Sequence, residues 1–86
     1  MRKELSNEEI LGAVESAFRP LRCVAEVWDY EQKLRFKVFD GADRGVVEVR
    51  DLGLRHLRDK SNLKSVLSSA RAMVEEKGFH LEPLVL

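Results

Sequence analysis

The sequence predicts a two-layer α+β domain of order α-β-β-β-α: a three-stranded antiparallel meander with both helices on one face. Three observations carry this reading. Apolar residues recur at helical spacing over residues 10–18 and 63–74. Between those stretches, three runs alternate apolar and polar side chains with period two. The connections between the runs, "DYEQ" and "DGADRG", hold turn-forming residues and are short enough for hairpins.

The first helix starts at "SNEE". Ser6 and Glu9 have the spacing of a capping box, in which each side chain satisfies a backbone N–H at the helix start. Glu8 and Glu9 also suit the positive end of the helix dipole. Ile10, Leu11, Val14, Ala17 and Phe18 then share one face. Pro20 ends the helix by forcing Arg19 out of the helical region.

From Leu21 the period is two. Leu21, Cys23, Ala25 and Val27 point inward; Arg22, Val24, Glu26 and Trp28 point outward. The second strand turns Leu34, Phe36 and Val38 inward, with Arg35 and Lys37 outward. The third turns Val47 and Val49 inward against Val46, Glu48 and Arg50. Simple hairpins set the register. Trp28 faces Lys33, Phe39 faces Val46, and apolar rows Ala25–Phe36–Val49 and Cys23–Val38–Val47 form inside. Outside, Glu26 meets Arg35 and Lys37 meets Glu48, which is the agreement a correct register would show.

"DLGLRHLRDKSN" reads as a loop with at most a single turn. A helix follows over about Asn62 to Lys77, capped by Ser61 or Asp59, burying Leu63, Val66, Leu67, Ala70, Met73 and Val74. Gly78 suits its C-terminal stop. The apolar tail, residues 79–86, alternates weakly and is compatible with a short edge strand, whereas Pro83 argues against a central one. Residues 1–5 are expected to be a flexible N-terminus, and residues 1–86 a single domain.

Composition limits the function. With 86 residues, 44% hydrophobic and 35% charged, the chain has the make-up of an ordinary globular domain. Fifteen basic and fifteen acidic residues cancel, which removes any generic pull toward nucleic acid or anionic lipid. A single cysteine cannot close an internal disulfide. No run approaches the length of a membrane span, and "MRKELSNEEI" lacks the apolar core of a signal peptide. The expected setting is the cytoplasm, without membrane contact.

Candidate chemistry is sparse. Cys23 alternates with core positions and is expected to be a buried structural thiol. His56 and His80 have no neighbour at metal-ligand spacing. Asp40 and Asp43 lack the alternating ligands and terminal glutamate of a calcium loop, so a turn accounts for them. "LRFKVF" lacks the glycine of an RNA-recognition strand. With no nucleophile, base or carboxylate pair in evidence, the expectation is no enzyme, no metal and no cofactor.

Two surface features suggest contacts. Val24, Phe39 and Val46 cluster at one end of the outer sheet face, with Trp28 at the other. Ser65, Ser68, Ser69 and Ala72 make a smooth stripe opposite the buried face of the final helix. These point to a protein partner or a homodimer, with the tail folded over the Phe39 end or pairing with a second molecule. Residues 44–64 also carry six basic residues against three acidic ones, Arg55, Arg58, Lys60 and Lys64 among them. The element order matches the double-stranded-RNA-binding fold, whose basic residues lie where the last strand meets the final helix. That fold's lysine-dense helix start is missing here, so nucleic-acid binding through these four residues is the alternative.

"VESAFRPLRC", "FKVFDGADRGVVEV" and "SVLSSARAMVEE" resemble the small bacterial family called domain of unknown function 1652. Its members have a similar helix–"FxPLRC"–strand joint, a related hairpin and a serine pair before "RA" in the final helix. The resemblance spans most of residues 6 to 76. It implies a small stand-alone bacterial protein and assigns no activity.

Overall fold

Ser6 opens the first helix as expected. Its hydroxyl accepts the Glu9 backbone N–H and the Glu9 carboxylate accepts the Ser6 N–H, both at 3.1 Å. The computed structural model describes residues 4–28, 30 and 32–86. Its elements are α1 (Asn7–Ser16), β1 (Arg22–Trp28), β2 (Lys33–Phe39), β3 (Gly45–Gly53), α2 (Leu54–Leu57) and α3 (Lys60–Glu76). The strands form one antiparallel sheet of order β1-β2-β3. This is the predicted α+β arrangement. The inward sides of the strands join α1 and α3 in one core, where the Phe18 and Phe36 rings lie 5.4 Å apart, tilted by 34°.

The helix-to-strand joint is a turn over residues 17–20, with the Arg19–Pro20 peptide cis. No helix crosses it. The last carbonyls of α1 need donors, and Arg71 on α3 supplies one by donating to the Ala17 oxygen. That contact links the two helices at their C-terminal and middle turns.

The β1–β2 register is the predicted one, from Cys23 opposite Val38 to Trp28 opposite Lys33. The β2–β3 register holds over Phe36–Val49, Lys37–Glu48 and Val38–Val47, then departs at both ends. Phe39 pairs with Gly45, where Val46 was expected. An extra residue on β3 bulges there, and Val46 packs partly against the core. At the other end a second shift lets β3 run on to Gly53 and pair Leu52 with Leu34. Asp51 takes the left-handed conformation beside that shift (φ 59°), one that Asp tolerates better than most residues.

Residues 51–62 hold the single helical turn that the sequence allowed, as α2, but are less loop than expected, because β3 and α3 extend into them. The strand continues to Gly53, α2 follows at once, and Asp59 caps α3 by accepting the Ser61 N–H at 2.9 Å. Leu54 and Leu57 of α2 are fully enclosed. α3 buries Leu63, Leu67, Ala70 and Val74, with Val66 half-buried. Met73 is 44% exposed, because the helix lies on the sheet along a narrower stripe than the sequence suggests. Gly78 ends the helix at φ 96°, its N–H reaching the Glu75 carbonyl at 2.9 Å.

The tail adds no strand. It returns along the helix layer, with the Glu82 N–H donating to the Arg19 carbonyl (2.8 Å) and Phe79, Leu81, Leu84 and Leu86 half-buried against the core. It does not fold over the Phe39 end of the outer face: its apolar side chains join the core, and Leu86 lies beside Glu4 and Arg55. Leu5 is likewise held: its N–H donates to the Arg58 carbonyl (3.0 Å), and its carbonyl accepts from the Arg58 guanidinium (3.0 Å). Residues 1–3, and Asp29 and Glu31 of the "DYEQ" turn, lie outside the described residues.

Candidate functional site

One side of the sheet is covered by helices; the other faces outward. Alternation along the strands puts Arg22, Val24, Glu26 and Trp28 of β1 on that outer face, with Lys33, Arg35, Lys37 and Phe39 of β2 and Glu48 and Arg50 of β3. Val24 is 45% exposed and Phe39 is half-buried. They line a shallow hollow of about 280 Å³ with Glu26, Arg35, Lys37 and Arg50.

Ion pairs organise the face. Glu26 meets Arg35 across β1 and β2, as the register predicts. Glu48 stands opposite Lys37, as the register predicts, and its carboxylate accepts from Arg50 two residues along its own strand, at 2.8 Å. Arg22 donates to Asp43 in the β2–β3 turn (3.1 Å) and also stacks over Phe39, its guanidinium carbon 4.2 Å from the ring centre. Lys37 reaches the same ring at 5.4 Å. Gly45 makes room for it: a Cβ there would stand 2.6 Å from the Lys37 Cε. Trp28 is bracketed in the same way, by Lys33 at 5.3 Å and Arg35 at 5.4 Å. Cation–ring pairs therefore occupy both ends of the face. The indole N–H of Trp28 is screened from solvent and has no acceptor among the described residues.

Of the expected interaction residues, Val24, Trp28 and Phe39 thus share the outer face, whereas Val46 is drawn partly into the core by the bulge. The four cations Arg22, Lys33, Arg35 and Lys37 belong to the same site and were not singled out from the sequence. The signal for three of them was the alternation K-x-R-x-K along the central strand; Arg22 lies on β1.

The stripe Ser65, Ser68, Ser69 and Ala72 is exposed along α3, with Met73 beside it. The basic set is brought together in a groove of about 770 Å³, lined by Glu4, Arg55, Arg58, Asp59, Lys60, Ser61, Lys64 and Leu86. Arg58 has a structural task there. It is half-buried and donates to the Leu5 carbonyl (3.0 Å) and to Asn7 Oδ1 (2.8 Å), tying the N-terminal segment to α2. Arg55, Lys60 and Lys64 project from the rim.

Cys23 lies in the core at 7% exposure, and burial, reinforced by the charge of Glu15, pushes its thiol up to about 12. It presents no thiolate to a substrate. His56 is exposed on α2, with Asn62 Nδ2 donating to its carbonyl (3.0 Å), and His80 is exposed in the tail. Asp40 closes the β2–β3 turn by accepting the backbone N–H groups of Ala42 (2.8 Å) and Arg44 (2.9 Å). The Arg44 N–H, more than any other group, holds its carboxyl below the ordinary range. Among the described residues no group of three His, Cys, Asp or Glu side chains is placed to hold a metal ion, and no helix is long and apolar enough to cross a membrane.

Comparison with known proteins finds no matching family model, no matching curated protein and no matching solved structure.

Proposed function

We propose that this chain is a non-enzymatic binding module of the cytoplasm, and that its contact surface is the outer face of the sheet. One observation carries the reading: α1, α2, α3 and the tail all pack on the inner side, leaving Val24, Trp28 and Phe39 on a face that none of these elements covers. An antiparallel sheet facing only water alternates to small or charged residues. Two aromatic rings and a valine on such a face suit a contact surface better, since aromatic and arginine side chains are what interfaces concentrate. The resemblance to domain of unknown function 1652 belongs to the same proposal and adds no activity to it.

A photo-crosslinking side chain placed at Val24 in the producing cells should give discrete adducts, and the same group at Ser68 on α3 should give none. Adducts from Ser68 alone would move the contact surface to the helix stripe and refute this reading.

A second reading rests on the gathering of Arg55, Lys60 and Lys64 around the groove at the start of α3. It assigns duplex RNA to that groove. Binding of duplex RNA that weakens with salt and is lost in Lys60→Glu/Lys64→Glu supports it, because phosphate contacts compete with counterions.

A further inference from the structure

The charges of the outer face find partners within the chain. Arg22 pairs with Asp43, Glu26 with Arg35 and Glu48 with Arg50, while Lys37 stands opposite Glu48. What the fold leaves open is the edge of the sheet at β1. The order β1-β2-β3 gives this strand one neighbour, and among the described residues none of Arg22–Trp28 makes a backbone bond outside the sheet. Alternate N–H and C=O groups of an edge strand point away from its neighbour and need water or another strand. The same edge is short of packing. Ala25 and Val27, inward on β1, remain half-buried, whereas Leu34, Phe36 and Val38 on the central strand are at most 2% exposed.

The two edges of the sheet differ. β3 shifts register at both ends, and Asp51 takes the left-handed conformation near one of them, which breaks the row of edge groups. β1 pairs all seven of its residues with β2 without a shift and holds no proline. Its edge is the one shaped to accept another strand, and a second copy can supply it. A two-fold axis normal to the sheet pairs β1 with its copy antiparallel and keeps both outer faces on one side, so outward residues meet outward residues. With the axis at Val24, the two Val24 side chains face each other, and Arg22 of each copy faces Glu26 of the other. On the inner side Cys23 then meets Ala25, and Leu21 meets Val27. Moving the axis to Glu26 sets two carboxylates against each other. Moving it to Ala25 leaves Glu26 against Val24 and Arg22 against Trp28, with no opposite charges facing.

We propose that β1 pairs antiparallel with β1 of a second copy, centred on Val24, joining two three-stranded sheets into one of six strands. This rests on the reading of the outer face as the contact surface, and names the partner at its β1 edge. No charge has to leave its present partner. Glu26 stands between Arg35 of its own chain and Arg22 of the other copy, and Arg22 between Asp43 and that copy's Glu26, so acids and bases alternate across the seam. Val24, 45% exposed in the single chain, is covered at the axis. Ala25 and Val27 gain the second neighbouring strand that the inward residues of β2 already have. Backbone bonds then supply affinity and the facing side chains supply register, as in strand addition generally.

The test is sedimentation of the full chain over a range of concentrations. The expected result is a reversible shift from the mass of one chain to the mass of two. Arg22→Glu and Glu26→Arg each set like charges opposite one another across the axis, and each alone should weaken association at least about tenfold. Mixed in equal amounts, the two variants should associate about as tightly as the unaltered chain, because the acids of one copy then face the bases of the other. Their urea midpoints should stay close to that of the unaltered chain, since exposed ion pairs contribute little to folding. Val24→Lys sets two cations on the axis and should also separate the copies, whereas Lys64→Glu, in the groove at the start of α3, should change nothing. Folded variants that stay apart on mixing would overturn the pairing, as would a full chain that is monomeric throughout. Crosslinking at Val24 separates that failure from failure of the contact surface. A monomeric chain whose Val24 adducts contain another protein loses the second copy and keeps the surface; a monomeric chain with no adducts loses both.

Discussion

A thiol reagent added to the native chain should leave Cys23 unmodified over the time in which the denatured chain is fully labelled. The magnitude follows from the surroundings of the sulfur. Cys23 is 7% exposed, between Val38 on the next strand and the α1 side of the core. Burial moves its ionisation from 9.0 to about 12, so at neutral pH the thiolate, the reactive species, is about a thousand-fold scarcer than in the unfolded chain. Direct attack is therefore negligible, and labelling must wait for the strand to open. The pH dependence has a fixed sign. The folded value lies above the unfolded one, so the protonated thiol favours the fold. That contribution is complete below 9.0 and is lost as pH rises toward 12. The assay is release of a chromophore from an aromatic disulfide at about pH 8, with and without denaturant, followed by repetition at rising pH. A native rate within about tenfold of the denatured rate would refute the inward orientation and, with it, the inner row Cys23–Val38–Val47. Replacing the thiol by a hydroxyl, Cys23→Ser, should cost about 1–3 kcal/mol, as a buried hydroxyl without a good partner does.

Leu57→Ala should destabilise the chain by about 2–5 kcal/mol in urea titration, the cost of emptying a fully enclosed leucine site. Arg55→Ala on the exposed side of the same turn should stay within about 0.5 kcal/mol; equal effects would show that α2 is not docked. A chain ending after Glu82 loses Leu84 and Leu86 from the helix layer, and should be less stable and associate more in sedimentation. Unchanged stability and mass would mean that the tail contributes nothing. Asp40, whose carboxyl ionises below the ordinary range, steadies its turn above that range and releases it as pH falls through its lowered value. The Ala42 and Arg44 amide shifts should move together in an acid titration, and amides indifferent to acid would contradict the turn's hydrogen bonds.

The candidate face was legible in part. Alternation alone put Val24, Trp28, Arg35 and Lys37 outward, and Ser6 with Glu9 marked the helix start, because both signals depend on neighbours a few residues away. What alternation could not supply was which cation would lie over which ring. Lys37 leans across Gly45 toward Phe39 only because a bulge brings Gly45 opposite Phe39, where an unbroken hairpin would have placed Val46.

The order of elements, the inner rows and the central register were thus determined by the sequence by itself, through periodicity and turn chemistry that act locally. The tertiary structure decided the rest. Four residues are too few to show a helical period or to repay the cost of nucleation alone, so α2 exists because Leu54 and Leu57 find the core already assembled around them. Arg58, which reads as one more surface cation, becomes a latch because Leu5 and Asn7, more than fifty residues earlier, arrive beside it. The tail alternates only weakly, and its course is set by groups distant in the chain, the Arg19 carbonyl that accepts the Glu82 N–H and the shared core that takes its apolar side chains.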